Sequence, residues 1–410
     1  MLSPYRVLDL TNENGFLCGK ILADLGADVI KVEPPGGDPA RKIGPFYKDI
    51  PDPEGSLFWL AYNTSKRSIT LNLKTRDGGE IFRKLVRTAD FVIETFPPGY
   101  MDEIGLGYSL LSKLNNRLIM ASITPFGQDG PYKHYKSSDL IAMAMGGLMY
   151  SIGDPDRAPV RFSLEQTYPH AGAQTAMAVL IANNYRKISG KGQYIDVSIQ
   201  ECVTGILEHR YHFVGYGEKG TERRWGQRVI RGGGKSASLH IWPCKDGYIC
   251  WRIFTATQGP KTRALAEWME AEGMGEKLSQ IDWSAVDFEE VTQEQLDGWE
   301  KEFSKFFLTH TKAELQREAT KRGIMLFPVN TIEELLKDEQ LAARNFWVEV
   351  EHPELNCTLI FPGAPFKLEP PLWRISRRAP LIGEHNLEIY EGELGFSRQE
   401  LVMLKQAGVI

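Results

Sequence analysis

The sequence predicts an α/β protein whose large domain holds a Rossmann-like parallel sheet, and two observations carry this prediction. Short apolar runs typical of buried strands alternate with segments of helical period through the first half of the chain. Such an alternation indicates a parallel sheet covered by helices. Apolar strand-like runs also occur near both ends of the chain, which favours a large domain built from both ends.

The individual elements follow in order along the first 200 residues. Apolar residues at helical spacing from Phe16 to Leu25 predict the first helix, and Gly26 ends it. A second long helix is expected over residues 171–188, before the Gly-Lys-Gly turn at 190–192. The remaining predictions are strands at 6–11, 28–33, 68–73, 91–94, 118–123 and 194–199, and helices at 79–86 and 110–114.

The character of the chain changes after residue 216. Residues 217–235 are rich in glycine and arginine and hold few apolar residues, which predicts a linker or surface loop. A hairpin is expected around Lys245, Asp246 and Gly247, followed by helices near 261–273, 293–307 and 311–322. The predicted domains are therefore residues 1–216 of the large domain, a linker and small domain at 217–330, and a return to the large domain at 331–410.

Composition excludes several classes of function. The chain is 42% hydrophobic and 25% charged, as is usual for globular proteins, and its net charge of -5 argues against a nucleic-acid binder. Arg6, Asp9 and Glu13 interrupt the apolar start, and no run reaches the roughly 18 uncharged residues that span a bilayer. The five cysteines lack CxxC spacing, so no metal site is expected. A cytoplasmic protein with neither membrane nor nucleic-acid partner is predicted.

Several long segments carry a specific resemblance. Residues 22–41 (LADLGADVIKVEPPGGDPAR) and 63–74 (NTSKRSITLNLK) are followed by similar blocks at 89–106, 122–131 and 189–201. In this order they resemble the family III CoA-transferases, the carnitine and formyl-CoA transferase group. The resemblance implies a large Rossmann-like domain built from both termini, a smaller α+β domain from the middle, and two ring-like chains interlocked in a dimer.

The resemblance also implies a reaction. In that family an aspartate just before the long helix attacks the acyl-CoA thioester, so CoA thioesters are substrates and no covalently bound cofactor is expected. Counting back from Gln193 and from Gly172 places Tyr168 at this position. A phenol with a pKa near ~10 is a poor nucleophile at neutral pH. Glu165, three residues earlier, is the fallback nucleophile, and a hydrogen-bonding role is expected for Asp139.

The CoA-binding positions implied by the resemblance are mixed. Pro34 and Glu103 stand where the formyl-CoA branch has arginines, and Arg41 is the expected substitute. A carboxylate at position 103 would repel a diphosphate unless it points elsewhere. For Lys74 and Lys136 the alternative is a solvated surface position, and for Phe96 it is packing in the core. The positions that match the branch are Leu71, Lys74, Phe96 and Lys136.

Three functions remain open. The first is a non-catalytic subunit whose homologous partner carries the aspartate, the second an active homomeric transferase using Glu165, and the third a CoA-binding scaffold without activity. Residues 11–20 replace the family's commoner Ala-Gly-Pro turn. They resemble the E-type subunit of a branch with two unequal subunits, which acts in anaerobic toluene degradation. That likeness implies succinyl-CoA as donor and benzylsuccinate as acceptor.

Overall fold

The computed structural model describes residues 1–154, 156–207, 225–230 and 236–410. They group into two units. The first unit contains Met1–Gly146, Phe162–Ile206 and Glu339–Ile410, and the second contains Gly147–Arg161 and Leu207–Asp338. The predicted boundary after residue 216 and most of the predicted linker lie outside the described residues. The boundary after residue 330 stays a prediction.

A parallel sheet of six strands forms the centre of the first unit. Its order is β3-β2-β1-β4-β5-β6, and every neighbouring pair is parallel. The predicted α/β fold class is therefore confirmed. The third strand is shorter than predicted because the backbone N–H of Asn72 donates to the carbonyl of Val409 and not to a sheet neighbour. The strands are β1 (Arg6–Leu10), β2 (Asp28–Glu33), β3 (Arg67–Thr70), β4 (Phe91–Glu94), β5 (Ile119–Thr124) and β6 (Tyr194–Ser198).

Among the described residues up to 206, eight α-helices of the same unit accompany this sheet. The third begins earlier than predicted because the Thr75 side chain caps it by accepting from the Gly78 N–H. The seventh helix begins at Thr167, so Tyr168, which was expected just before this helix, lies in its first turn. The helices are α1 (Phe16–Asp24), α2 (Leu57–Tyr62), α3 (Arg76–Val86), α4 (Tyr100–Glu103), α5 (Tyr108–Leu114), α6 (Asp139–Met145), α7 (Thr167–Ser189) and α8 (Ile199–Gly205).

Helices α1 and α7 approach each other closely at Gly172. A Cβ atom on this glycine would lie 3.0 Å from the Leu17 Cβ and 3.1 Å from the Cys18 backbone nitrogen. Any other residue would push the two helices apart, since these neighbours belong to a packed helix. The contact places the residues just before α1 beside the first turn of α7.

The second unit has an aromatic core. Trp242, Trp251 and Trp283 are buried and pack with Phe303 and Phe307. The predicted hairpin is confirmed, because β9 and β10 pair antiparallel around Lys245 and Asp246. The elements are β7 (Arg228–Ile230), β8 (Ala237–Leu239), β9 (Ile241–Cys244), β10 (Gly247–Cys250), α9 (Gly259–Ala271), α10 (Glu276–Ser279), α11 (Gln293–Thr309), α12 (Lys312–Lys321), β11 (Phe327–Pro328) and α13 (Ile332–Leu336).

The last 72 residues return to the first unit. They contain α14 (Glu339–Ala343), the hairpin β12 (Trp347–His352) and β13 (Cys357–Pro362), a π-helical turn (Glu388–Glu393) and α15 (Arg398–Gln406). The Asn386 side chain accepts from the Thr70 N–H at 2.9 Å and donates to the Thr70 hydroxyl at 2.8 Å. Residues near both chain ends therefore belong to one unit, as predicted. Within the described ranges, no helix is both long and apolar enough to cross a bilayer.

Candidate active site

Tyr168 is the second residue of α7 and lies half-buried at its first turn. Its side chain borders a narrow crevice with an interior of about 10 Å³, roughly enough for one water-sized group. The crevice is formed within the first unit by the segment before α1, by α2 and by the start of α7. Its other lining residues are Glu13, Leu17, Phe58, Tyr62, Glu165 and Pro169.

The surroundings of Tyr168 keep its phenol protonated. Burial raises the pKa of the phenol well above its ordinary value, and the nearby carboxylates of Glu165, Asp139 and Glu13 raise it further. A hydrogen bond from the Asp139 backbone acts in the opposite direction but does not reverse the shift. A neutral phenol can donate a hydrogen bond, whereas its oxygen is a weak nucleophile.

Glu165 lies beside the same crevice. It is an exposed residue two positions before α7, and its carboxylate adds to the effect of burial in raising the pKa of Tyr62. The structure therefore brings the fallback nucleophile and the expected catalytic position together. A carboxylate at this place can act as a nucleophile, whereas a neutral phenol is a poor one.

Asp139 caps the start of α7 through hydrogen bonds. Its Oδ1 accepts hydrogen bonds from the backbone N–H groups of Gln166 at 2.9 Å and Thr167 at 2.8 Å, and from the Thr167 hydroxyl at 2.8 Å. The first N–H groups of a helix have no partner inside the helix, so a carboxylate there satisfies and stabilises them. The hydrogen-bonding role predicted for Asp139 is confirmed.

Buried charges hold the segment that carries Glu13. The Lys66 ammonium donates to the Asp9 carboxylate at 2.8 Å and to the carbonyl of Phe16 at 3.2 Å. Lys31 donates to the carbonyl of Thr11 and lies 3.2 Å from Asp38. Burial alone would raise the pKa of the Asp9 carboxyl, but Lys66 and Lys31 lower it below its ordinary value. These contacts fix both ends of residues 11–16 beside the crevice.

The four residues that match the family's CoA-binding positions occupy different environments. Leu71 is buried in the core against α3 and α15. Phe96 is half-buried beside that core, with its ring 4.9 Å from Tyr100. Lys74 and Lys136 are exposed, so both can reach a ligand in solvent. Their roles in CoA binding stay predictions.

Arg41 is engaged inside the protein. Its guanidinium makes a two-point ion pair with Glu33 at 2.7 and 2.8 Å and reaches Glu54 at 2.7 Å. The same group donates to the carbonyl of Pro380 and lies 3.8 Å from the Trp59 ring centroid. Only 1% of Arg41 is exposed, so binding a CoA phosphate would require these bonds to be exchanged. Pro34 and Glu103 are both exposed.

Sequence reasoning missed Glu13 and Tyr62 as neighbours of Tyr168. Neither has a local signal of its own, because both reach the crevice through the packing of α1 and α2. It also missed the buried acid Glu94, at the end of β4, whose pKa is raised to about 7 mainly by burial. Glu94 borders a separate cavity of about 480 Å³ with Tyr108 and Tyr194. An acid closing an otherwise apolar strand was the available signal.

Comparison with known proteins identifies the family. The model of CoA-transferase family III matches residues 2–386. The chain is 36% identical to the succinyl-CoA:(R)-benzylsuccinate CoA-transferase subunit BbsE of Thauera aromatica, covering 100% of this chain and 98% of that one. It is 32% identical to a formyl-CoA:oxalate CoA-transferase of Streptomyces avermitilis, covering 100% and 99%.

A solved structure agrees with these sequence matches. The crystal structure of a CAIB/BAIF family protein from Brucella suis aligns with a TM-score of 0.79 at 27% identity, covering 95% of this chain and 98% of that one. The predicted resemblance, including its likeness to an E-type subunit, is confirmed by these matches. The chain belongs to the family III CoA-transferases.

Proposed function

We propose that this chain is the subunit of a heteromeric CoA-transferase that lacks the nucleophile. The partner subunit carries the catalytic aspartate, and the complex moves CoA from succinyl-CoA to a carboxylic acid, with benzylsuccinate as the first acceptor to test. The observation that carries the proposal is Tyr168, a protonated phenol at the position where the family's aspartate is expected. The full-length similarity to a named subunit of such an enzyme supports it.

The chemistry explains why tyrosine does not replace aspartate. A carboxylate oxygen attacks the thioester carbonyl, CoA thiolate leaves, and a mixed anhydride forms. The thiolate then attacks the carboxylate's own carbonyl carbon, which releases the donor acid and leaves an enzyme thioester. A phenol has no carbonyl carbon to receive CoA, so an acylated Tyr168 could only return to the starting thioester or lose its acyl group to water.

An apolar stripe on α7 supports assembly with a homologous subunit. Met177, Ile181, Tyr185 and Ile188 are 57%, 62%, 52% and 81% exposed, and their spacing places them on one side of the helix. The opposite side of α7 is buried against its own unit. Large apolar side chains that are exposed together mark interaction surfaces, so this stripe is the part of α7 that the partner is proposed to cover.

A second candidate is a homomeric transferase that uses Glu165. Glu165 and Tyr168 border the same crevice. A thioester bound beside Tyr168 would therefore also lie near the Glu165 carboxylate. Substitution separates the two candidates. Glu165→Gln should abolish transfer by a homomer, whereas it should leave the partner's aspartate untouched in a heteromer.

The test is succinyl-CoA-dependent CoA transfer to benzylsuccinate, assayed with this chain alone and with the homologous subunit that co-purifies with it. Activity only with the partner supports the proposal. Transfer at ordinary rates by the chain alone, lost in Glu165→Gln, would overturn it in favour of the homomer. If neither preparation transfers CoA but the chain binds it, the remaining function is a CoA-binding scaffold without activity.

A variant tests the crevice itself. Tyr168→Asp should form an acyl adduct with succinyl-CoA that hydroxylamine traps, because it restores a carboxylate at that position. Tyr168→Asn, which has a similar size but no nucleophilic carboxylate, is the matched control. Trapping in the aspartate variant alone supports a competent site that lacks only its nucleophile. Equal trapping in both variants would show that position 168 does not face the thioester.

A further inference from the structure

The cavity beside α4 and α5 contains a buried carboxyl group. Its volume is about 480 Å³, which is within the range of small-molecule sites, and it lies within the first unit. Only 2% of Glu94 is exposed, and its Oε2 accepts from the backbone N–H of Phe96 at 2.6 Å. Among the described residues, the only charged group that acts on this carboxyl is Asp196, which is also an acid. Glu94 is therefore buried without a counter-ion.

Hydrogen bonds connect Glu94 with a tyrosine of the same cavity. Ser122 of β5 is paired in register with Glu94, and its hydroxyl forms a hydrogen bond with the carboxyl group. The same Ser122 oxygen accepts from the phenol of Tyr194 at 2.9 Å. Burial raises the pKa of Tyr194 to about 12, so this phenol stays neutral. Its ring centroid lies 5.6 Å from that of Tyr108, so two aromatic rings border the cavity together with the buried carboxyl group.

The other charged and titratable groups that border the cavity are closer to solvent. Asp102 of α4 and His134 are exposed, and Lys133 is half-buried. Water screens charges in such positions, so their effect on a ligand is weaker than that of a buried charge. Asp196 of β6 adds a further negative charge near Glu94. The buried part of the cavity is therefore acidic, although two basic side chains border its more exposed part.

An ammonium group is the ligand group that fits these surroundings. Burial raises the pKa of Glu94 to about 7, because the described residues supply no cation that would favour its charged form. An entering ammonium group would supply this charge and form a charge-assisted hydrogen bond with the carboxylate. Aromatic rings such as those of Tyr108 and Tyr194 also attract cations. An anionic group in the same place would be repelled by Glu94 and Asp196.

We infer that this cavity binds an organic amine, with Glu94 as the counter-ion of its ammonium group and the rings of Tyr108 and Tyr194 against its apolar part. A primary ammonium group has three N–H donors, and the Glu94 carboxylate and the Ser122 hydroxyl are acceptors within the cavity. This inference goes beyond the proposed function, because it concerns a ligand other than the thioester and the acids. It does not depend on the role of Tyr168.

The test is calorimetric titration of the full-length chain with benzylamine, and with benzyl alcohol and benzoate as probes of similar size. Benzylamine is positively charged near neutral pH, whereas benzyl alcohol is neutral and benzoate is negative. A ligand of this size is expected to bind with a Kd of about 1 mM. At pH 8, benzylamine should bind at least about fivefold more tightly than benzyl alcohol. Tighter binding of benzoate than of benzylamine would overturn the inference in favour of an anion site at Lys133 and His134.

The affinity for benzylamine should rise with pH, because the ammonium group competes with the proton on Glu94. With a pKa of about 7, about nine tenths of these carboxyl groups are protonated at pH 6 and about one tenth at pH 8. Benzylamine should therefore bind about tenfold more tightly at pH 8 than at pH 6. At pH 6, binding should also release nearly one proton, which appears as a binding enthalpy that depends on the buffer. Equal affinity at both pH values would contradict the inference.

Three variants locate the charge that matters. Glu94→Gln keeps an acceptor for the Phe96 N–H, and it should bind benzylamine at least about tenfold more weakly at pH 8 and without pH dependence. Histidines ordinarily titrate in this pH range, so His134→Gln is needed as a control and should keep most of the pH dependence. Glu103→Gln removes an exposed acid of α4 that is not among the described lining residues, and should change the affinity by less than about twofold.

These variants also define the results that would overturn the inference. Circular dichroism should show that each variant keeps the fold of the wild type. If Glu94→Gln binds benzylamine as tightly as the wild type does, Glu94 is not the counter-ion and the inference is wrong. It is also wrong if the wild type shows no binding at about 50 mM benzylamine, well above the expected Kd. In either case the proposed function is unaffected, because CoA transfer is measured without an amine.

Discussion

Replacing Asp139 by alanine should loosen the first turn of α7, which carries Tyr168. Alanine removes the acceptor of three hydrogen bonds and leaves the N–H of buried Thr167 without its partner. Loss of a helix cap costs about 1 kcal/mol, and an unsatisfied buried donor costs about 1–3 kcal/mol. The free energy of local opening at the start of α7 should therefore fall by about 2–4 kcal/mol.

Hydrogen exchange measured by mass spectrometry on peptides covering residues 164–172 tests this value. The expected loss corresponds to exchange that is about 30-fold to several hundredfold faster, since 1.4 kcal/mol is a factor of ten. Asp139→Asn keeps an acceptor oxygen and should lose only about 1 kcal/mol. Asp77→Ala, an acid in the first turn of α3 where Thr75 supplies the cap, should change local stability by less than about 0.5 kcal/mol. Exchange in Asp139→Ala within about threefold of the wild type would refute the reasoning.

Three further predictions concern buried charges in the same unit. Burial raises the pKa of Glu94 from 4.5 to about 7, so its stabilising protonated form is fully present below pH 4.5 and is lost as pH rises through 7. In urea unfolding, the free energy of unfolding of Glu94→Gln relative to the wild type should therefore rise by up to about 3 kcal/mol between pH 5 and pH 8. A difference that does not vary with pH would contradict this. Arg41→Lys should lose about 3 kcal/mol of unfolding free energy because lysine cannot satisfy Glu33, Glu54 and the Pro380 carbonyl together, and a normal urea midpoint would argue against that network. Lys66→Met should lower the free energy of unfolding by about 3–5 kcal/mol, because it leaves the buried Asp9 carboxylate poorly paired. The double variant Lys66→Met/Asp9→Asn should lose less than the single variant. If the losses of the two single variants simply add in the double variant, Lys66 and Asp9 are not coupled.

The parallel sheet could be predicted because its strands are local signals. Runs such as 28–33 and 91–94 are mainly apolar and β-branched, apart from Lys31 and the charged residues at their ends, and each is bounded by helical segments. The predicted bounds of β2 and β4 match the structure. The end of β3 could not be predicted in the same way. Its last residues turn toward Val409, more than 300 positions away, and no local pattern reports such a partner.

The site was predictable only in part, for the same reason. The position of Tyr168 followed from counting within blocks that resemble a known family, whereas its neighbours depend on packing. Glu13 reaches the crevice because Gly172 allows α1 to approach α7 and because Lys66 and Lys31 hold the preceding segment. Arg41 shows the opposite case. Its charge suggested a phosphate ligand, but the fold surrounds it with carboxylates.

Under the proposed assignment of Tyr168 to the position of the nucleophile, the contacts around this residue fit a site that lacks only its nucleophile. Asp139 caps the start of α7, and buried lysines hold the segment before α1. Burial and three nearby carboxylates raise the pKa of the Tyr168 phenol and hold it in its neutral form, whose oxygen is a weak nucleophile. The Lys66 ammonium and the Asp9 carboxylate are buried together, so loss of either one alone would leave an uncompensated charge. A neutral phenol in a well-supported first turn of α7 therefore fits the proposed role of a subunit whose partner supplies the aspartate.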